Sequence, residues 1–227
     1  MRPAAGEVRH PAGAWQRQAL KSAVYDAVQR QNSRFANITL VQTFNAVSDW
    51  KPIAAAGWGA TNAPSENPSR NLFDVYLGAA LTYPACLSFE GMWALRVPES
   101  GPLPAYLCAR EINVAYELMA MLSIAGAYFA GVEGGGHLLV ENALSGFRDG
   151  KSQFASETRH RGDAPLLPDA PDGVTADTRT SAVELRDMPE RVARLLIDRW
   201  LPSFYQDPLG NRDLFQVLMP VSDSATG

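Results

Sequence analysis

A long apolar segment, from Leu107 to Ala130, constrains the fold of this chain more than any other feature of the sequence. Its apolar residues recur three and four positions apart, which is the spacing of one helical face. Val114, Met121 and Ile124 add apolar side chains to the remaining sides. The segment therefore predicts a long helix that the rest of the fold buries. Glu117 interrupts the apolar run, so the segment is too short and too mixed to span a bilayer.

The residues before this helix predict a second helix and several strands. Apolar positions recur at helical spacing from Ala14 to Gln31. Residues 34–47 are rich in β-branched and aromatic side chains, which favours strand structure. Residues 72–81 and 86–97 predict an antiparallel pair of strands, and Gly91 within the second strand indicates a bulge or a close backbone approach.

The residues after the central helix predict a strand, a linker and a further helix. His137 to Leu144 has the composition of a strand. Residues 150–180 contain few apolar side chains and many Asp and Gly residues, so we expect a flexible loop or linker there. Ser181 to Leu185 then predicts a short strand. Asp187 is the expected N-cap of a final helix, with Glu190 at the spacing of a capping box.

The order of these elements indicates the fold class. Strands occur in neighbouring runs, and the helices do not alternate with them regularly. We therefore expect an α+β fold, with a mainly antiparallel sheet packed on the long buried helix and with flanking helices. The 227 residues predict a single domain, because a chain of this length can bury about 70% of its unfolded surface.

Charge and cysteine content exclude several classes of protein. The net charge is −4 and the pI is about 5.4, which argues against strong direct binding of nucleic acid or of acidic membranes. Cys86 and Cys108 are too few for a secreted disulfide scaffold. The first residues lack the apolar core of a signal peptide. We therefore expect a cytoplasmic protein without a membrane partner.

One histidine and two glutamates form the candidate catalytic group. If His137 begins a strand, the alternation of side chains places it on the same face as Glu141. Glu117 on the preceding helix is the candidate partner, and a His–carboxylate cluster suits acid–base chemistry in a hydrolase. The alternative is that His137 is a solvated residue at a loop edge. Ligand spacings typical of metal sites are absent from the sequence, so no metal is predicted and a cofactor cannot be assigned.

Trp58 is the candidate ligand or interaction residue. It lies between two glycines within residues 51–71, where Pro, Gly, Ser and Asn predict a surface loop. Exposed tryptophans are frequent in recognition surfaces. The alternative is that the Trp58 side chain folds back onto the core.

Three stretches of the sequence resemble a known family. They are the helix, glycine-rich turn and strand of residues 115–150, the strand and capped helix of residues 181–204, and the strand pair around residues 87–101. This series is similar to the region that follows the Schlafen-type, AlbA-like DNA-binding domain in some actinobacterial proteins that are often labelled ATP-binding. The resemblance implies an accessory domain or a stand-alone relative. The functional residues of that family belong to the preceding domain, so none of them is transferred to this chain.

The resulting hypothesis is a non-enzymatic accessory, sensor or interaction domain that contacts a protein or a small ligand. It depends on a well-formed core pattern without a recognised catalytic motif. Two alternatives stay open. One is a hydrolase-like enzyme that uses Glu117, His137 and Glu141, and the other is a nucleic-acid-associated regulator.

Overall fold

The computed structural model describes residues 1–4, 14–34, 50–53, 57–62, 73–82, 86–97, 106–132, 136–145, 152–155, 173–200 and 203. Its elements are, in chain order, β1 (Arg2–Pro3), α1 (Ala14–Arg34), β2 (Lys51–Ile53), β3 (Gly57–Asn62), β4 (Phe73–Thr82), β5 (Cys86–Val97), β6 (Tyr106–Arg110), α2 (Glu111–Ala130), β7 (His137–Ser145), β8 (Ser152–Ala155), β9 (Gly173–Ser181), α3 (Ala182–Asp187) and α4 (Pro189–Trp200). Helices and strands follow one another irregularly, so the predicted α+β class is confirmed.

The described strands form two sheets. The larger sheet has six strands in the order β2-β3-β4-β5-β6-β8, and the smaller sheet has three in the order β1-β7-β9. All of these neighbours are antiparallel except β6 and β8. The expectation of a mainly antiparallel sheet is confirmed. The chain divides its strands between two sheets, which the sequence pattern did not predict.

The first residue joins the two sheets. The amino group of Met1 donates to the carbonyl of Leu87 at 2.8 Å, and the Leu87 amide donates to the carbonyl of Met1 at 2.9 Å. Leu87 lies in β5 of the larger sheet, whereas β1 pairs with β7 in the smaller sheet. Burial lowers the pKa of the Met1 ammonium. This reciprocal pair of hydrogen bonds therefore links β5 of the larger sheet to the residue that precedes β1 of the smaller sheet.

The predicted central helix is the most buried element that the structure describes. The described side chains between Ala115 and Phe129 are almost all inaccessible to solvent, and Met119 and Leu122 are completely buried. The helix α2 packs against α1, α3 and α4, and it also contacts β5 and β6. We call the four helices together the helical layer. No described helix has the length and apolar character needed to cross a membrane.

Two predicted helix boundaries are corrected. The central helix begins at Glu111, and the preceding residues form β6 instead of a first helical turn. Ser181 to Leu185 is not a strand, because β9 ends at Ser181 and α3 begins at Ala182. The N-cap at this point is Ser181, whose hydroxyl accepts from the Glu184 amide at 3.0 Å. The first amides of a helix lack partners within the helix, and the Ser181 hydroxyl accepts a hydrogen bond from one of them. A helix can therefore begin directly after the strand.

The predicted loop and linker also contain strands. Within residues 51–71, β2 and β3 form an antiparallel pair, with Trp58 opposite both Pro52 and Leu81 in the register. The predicted linker at 150–180 contains β8 and most of β9. Residues 156–172 of that linker, and residues 35–47 of the strand expected at 34–47, lie outside the described residues; Arg34 is the last residue of α1. Backbone pairing with neighbouring strands outweighs weak local propensity in both segments.

The strand pair that the sequence predicted is present as β4 and β5. Their register runs without interruption from Phe73 opposite Leu95 to Thr82 opposite Cys86. Gly91 pairs directly with Leu77, so the expected bulge at this glycine is absent. A bulge would place two residues of β5 opposite one residue of β4 and would shift the register beyond it.

Candidate functional site

One face of the three-stranded sheet is open to solvent. Side chains along a strand point alternately to the two faces of the sheet. On β7 and β9 this alternation buries Leu138, Val140, Ala176 and Thr180 in the core. We call the opposite face the outer face. It consists of Arg2, His137, Leu139, Glu141, Ala143, Thr175, Asp177, Arg179 and Ser181, all exposed except the half-buried Leu139 and Ser181.

The charges on the outer face are arranged in two rows across the strands. Leu139 lies between Arg2 on one neighbouring strand and Arg179 on the other, and we call these three residues the basic row. Glu141 lies opposite Asp177, and we call this pair the acidic row. The Nε of Arg2 lies 3.3 Å from a carboxylate oxygen of Glu141. Both side chains of this ion pair are more than half exposed, so it contributes little to stability.

His137 lies at one end of the outer face with its backbone held in place. Its carbonyl accepts from the amide of Ala4 at 2.9 Å, and the neighbouring carbonyl of Gly136 accepts from the amide of Ala182 at 2.9 Å. The residue opposite His137 on β9 is Ser181. His137 and Glu141 share this face, as the alternation predicts, with Leu139 between them on the strand.

Glu117 lies in a different environment from the other two candidate catalytic residues. Its side chain is only 4% exposed, and its Oε2 atom has no hydrogen-bond partner among the described residues. Burial raises the pKa of Glu117 to about 8. The helical rise of about 1.5 Å per residue places Glu117 about 20 Å along the axis from the C-terminal end of α2, which His137 follows in the chain. A catalytic group of Glu117, His137 and Glu141 stays a prediction.

Trp58 lies in β3, within the larger sheet, and not in a surface loop. Its backbone is paired on both sides, because β3 has β2 and β4 as neighbours. The position of its side chain is outside the described part of the structure. The role of Trp58 as a ligand or interaction residue therefore stays a prediction.

A second group of charged residues joins α1 to the turn between α3 and α4. Arg34 contacts Glu190 at 2.7 Å and also donates to the backbone carbonyl of Asp187. Arg30 lies 3.3 Å from the Asp187 carboxylate. Hydrogen bonds from Arg186 lower the pKa of Asp187. These charges compensate one another, which favours a structural role over a binding role.

Three charged residues of the outer face, Arg2, Asp177 and Arg179, were not predicted from the sequence. Arg2 is in a strand of two residues, which is too short to give an alternating pattern. Asp177 and Arg179 fall inside the predicted linker, although the alternation of apolar Val174 and Ala176 with polar residues is the sequence signal that could have identified them. Sequence reasoning missed them because the low apolar content of β9 is typical of a loop as well as of a half-exposed strand.

The described residues do not include three or more His, Cys, Asp or Glu side chains arranged to hold a metal ion. Comparison of the chain with known protein families, with curated proteins and with solved structures gave no match. The function is therefore inferred from the residues of this chain.

Proposed function

We propose that this chain is a non-enzymatic interaction domain of the cytoplasm, and that it contacts a protein partner through the outer face of the small sheet. The observation that carries the proposal is the composition of that face. Exposed side chains of both charges stand on hydrogen-bonded strands at fixed spacing. Because the strands hold these side chains at fixed positions, less conformational entropy is lost when a partner binds.

The charge of the outer face indicates the chemistry of the partner. The face carries Arg2 and Arg179 beside Glu141 and Asp177, so its charges balance. Nucleic acid favours a basic surface, because its phosphates dominate the affinity. A protein surface that carries both acidic and basic side chains is the better complement.

A pair of photo-crosslinking variants tests the proposal. A photo-reactive amino acid replaces Thr175 on the outer face or, as the matched control, Ser22, which is exposed on α1. Both variants are expressed in the source cells and irradiated. We expect adducts of higher mass from the Thr175 variant and few from the Ser22 variant. Equal yields from the two positions, or adducts from neither, would contradict the proposal.

A hydrolase-like enzyme is the second candidate function, and the observation that favours it is the buried carboxyl of Glu117, whose burial raises its pKa to about 8. Carboxyl groups with pKa values near neutrality are concentrated at catalytic sites, where they serve as general acids or bases. The enzyme requires a substrate channel to the buried carboxyl of Glu117. Screening of ester and amide substrates with the wild-type chain and with Glu117→Gln tests it. Turnover that survives the substitution would remove Glu117 from the mechanism.

A further inference from the structure

The basic and acidic rows of the outer face are complementary to each other. Arg179 and Asp177 are successive outward residues of β9, so they lie about 7 Å apart along the strand. A second copy of the chain presents the same two rows. When two identical surfaces meet, a two-fold axis relates them, and each residue of one copy faces a defined residue of the other.

One orientation of that axis pairs opposite charges. In this orientation the two-fold axis is perpendicular to the strands and passes between the two rows. The basic row of each copy then faces the acidic row of the other copy. Arg179 of one copy then faces Asp177 of the second copy, and the same contact occurs twice. Glu141 stays compensated by Arg2 of its own copy, at 3.3 Å. Three further pairs of outward residues meet: Leu139 faces Glu141, Ala143 faces His137, and Thr175 faces Ser181.

The other face-to-face orientation repels. An axis that runs along the strands exchanges β1 with β9, because these strands flank β7 on opposite sides. Arg179 of one copy would then face Arg2 of the second copy, and like charges in contact are unfavourable. The charge pattern thus favours the axis across the strands over the axis along them.

We propose that the outer face binds a second copy of this chain, with Arg179 of each copy paired to Asp177 of the other across a two-fold axis that crosses the strands. This inference rests on the proposed function, because it names the partner of the same face.

The size of the outer face sets the strength of this contact. Two strands of nine residues and one strand of two residues, with strands about 4.8 Å apart and residues about 3.3 Å long, give an area on the order of 300 Å² per copy. Stable interfaces bury about 800 Å² per partner. The dimer is therefore weak, and salt weakens it further because its charges are exposed.

Sedimentation equilibrium of the purified full chain tests the proposal. The wild-type chain is measured up to about 500 μM in about 20 mM and about 500 mM salt. We expect a monomer–dimer equilibrium at low salt that high salt dissociates. Arg179→Asp and Asp177→Arg should each weaken the dimer about tenfold or more, because each substitution sets like charges against each other. The double variant restores the pairing, and its dissociation constant should return to within about threefold of the wild type.

A charge reversal outside the outer face serves as the control. Lys21→Glu changes an exposed charge on α1 and should leave the dimer unchanged. Circular dichroism shows whether each variant is folded. A monomeric wild type at low salt, or a double variant as weak as the single variants, would overturn the inference. If the Thr175 position still gives adducts with another protein, the proposed interaction function stands and only the identity of the partner is wrong.

Discussion

Glu117 and Glu141 carry the same kind of carboxyl group, but one is buried among helices and the other is exposed on a sheet. Glu117 lies on α2 inside the helical layer, where burial raises its pKa to about 8. Glu141 lies on the outer face, where it is exposed and forms an ion pair with Arg2. Inside the layer, a polar group is a cost to stability unless it finds a partner. On the outer face the same group costs little, so it is available for recognition.

The interior of the helical layer should be the most sensitive region of the molecule. Leu122 is completely buried on α2, so Leu122→Ala leaves a cavity. We expect a loss of about 4 kcal/mol in the free energy of unfolding, measured by chemical denaturation. Leu195→Ala is the matched control, because Leu195 on α4 is 42% exposed. A loss below about 1 kcal/mol at Leu122 would show that the core does not depend on α2.

The contact between α2 and α3 should be nearly as sensitive. A Cβ atom added to Gly126 would lie 2.7 Å from the Cβ of Leu185 and closer still to the α3 backbone. Gly126→Ala therefore forces α3 away, at a cost of about 3 kcal/mol. Gly131→Ala is the control, because its nearest neighbour would be 3.5 Å away. Equal melting temperatures for the two variants would contradict this close approach.

The buried carboxyl of Glu117 should make stability depend on pH. Its pKa is about 8 in the folded state and 4.5 in the reference state, so between these values only the folded chain keeps the proton. Stability therefore falls as pH rises, by up to about 1.4 kcal/mol per unit within this window, or about 2.5 kcal/mol between about pH 5 and 7. Glu117→Gln cannot ionise and should lack this loss. The free energy of unfolding of the wild type and of Glu117→Gln is measured by denaturation at each pH. An equal decrease with pH in both proteins would contradict the burial of an ionising Glu117.

The outer face should be the least sensitive region. Glu141→Ala removes an ion pair in which both side chains are exposed, so we expect a change below about 0.5 kcal/mol in the free energy of unfolding. Thermal melting of this variant beside the wild type measures the effect. A loss above about 1.5 kcal/mol would end the contrast between the two regions, because Glu141 would then support the fold.

The sequence predicted the helical layer better than the sheets, for a physical reason. The periodicity of α1 and α2 is local, since each helix makes its own hydrogen bonds, and both helices are present where the spacing indicated them. Strands depend on partners that are distant in sequence. The strand β9 has few apolar residues, and it pairs along its full length with β7. Its composition alone could not distinguish such a strand from a linker.

The candidate site was predicted only in part, for the same reason. The shared face of His137 and Glu141 follows from the alternation along one strand. The charges of Arg2 and Arg179 come to that face only through pairing with other strands. The burial of the Glu117 carboxyl depends on side chains from several elements. Contacts of this kind are not encoded within one local window of sequence.

The strand order of the small sheet also determines when the outer face can form. Its strands are β1 (Arg2–Pro3), β7 (His137–Ser145) and β9 (Gly173–Ser181). The strand β1 therefore cannot pair until β7, more than one hundred residues later in the chain, has been synthesised. Loops of this length close slowly compared with a helical turn. During synthesis, the face is incomplete until β9 has been made. A partner that recognised the assembled outer face would therefore bind only chains in which β9 has already paired with β7.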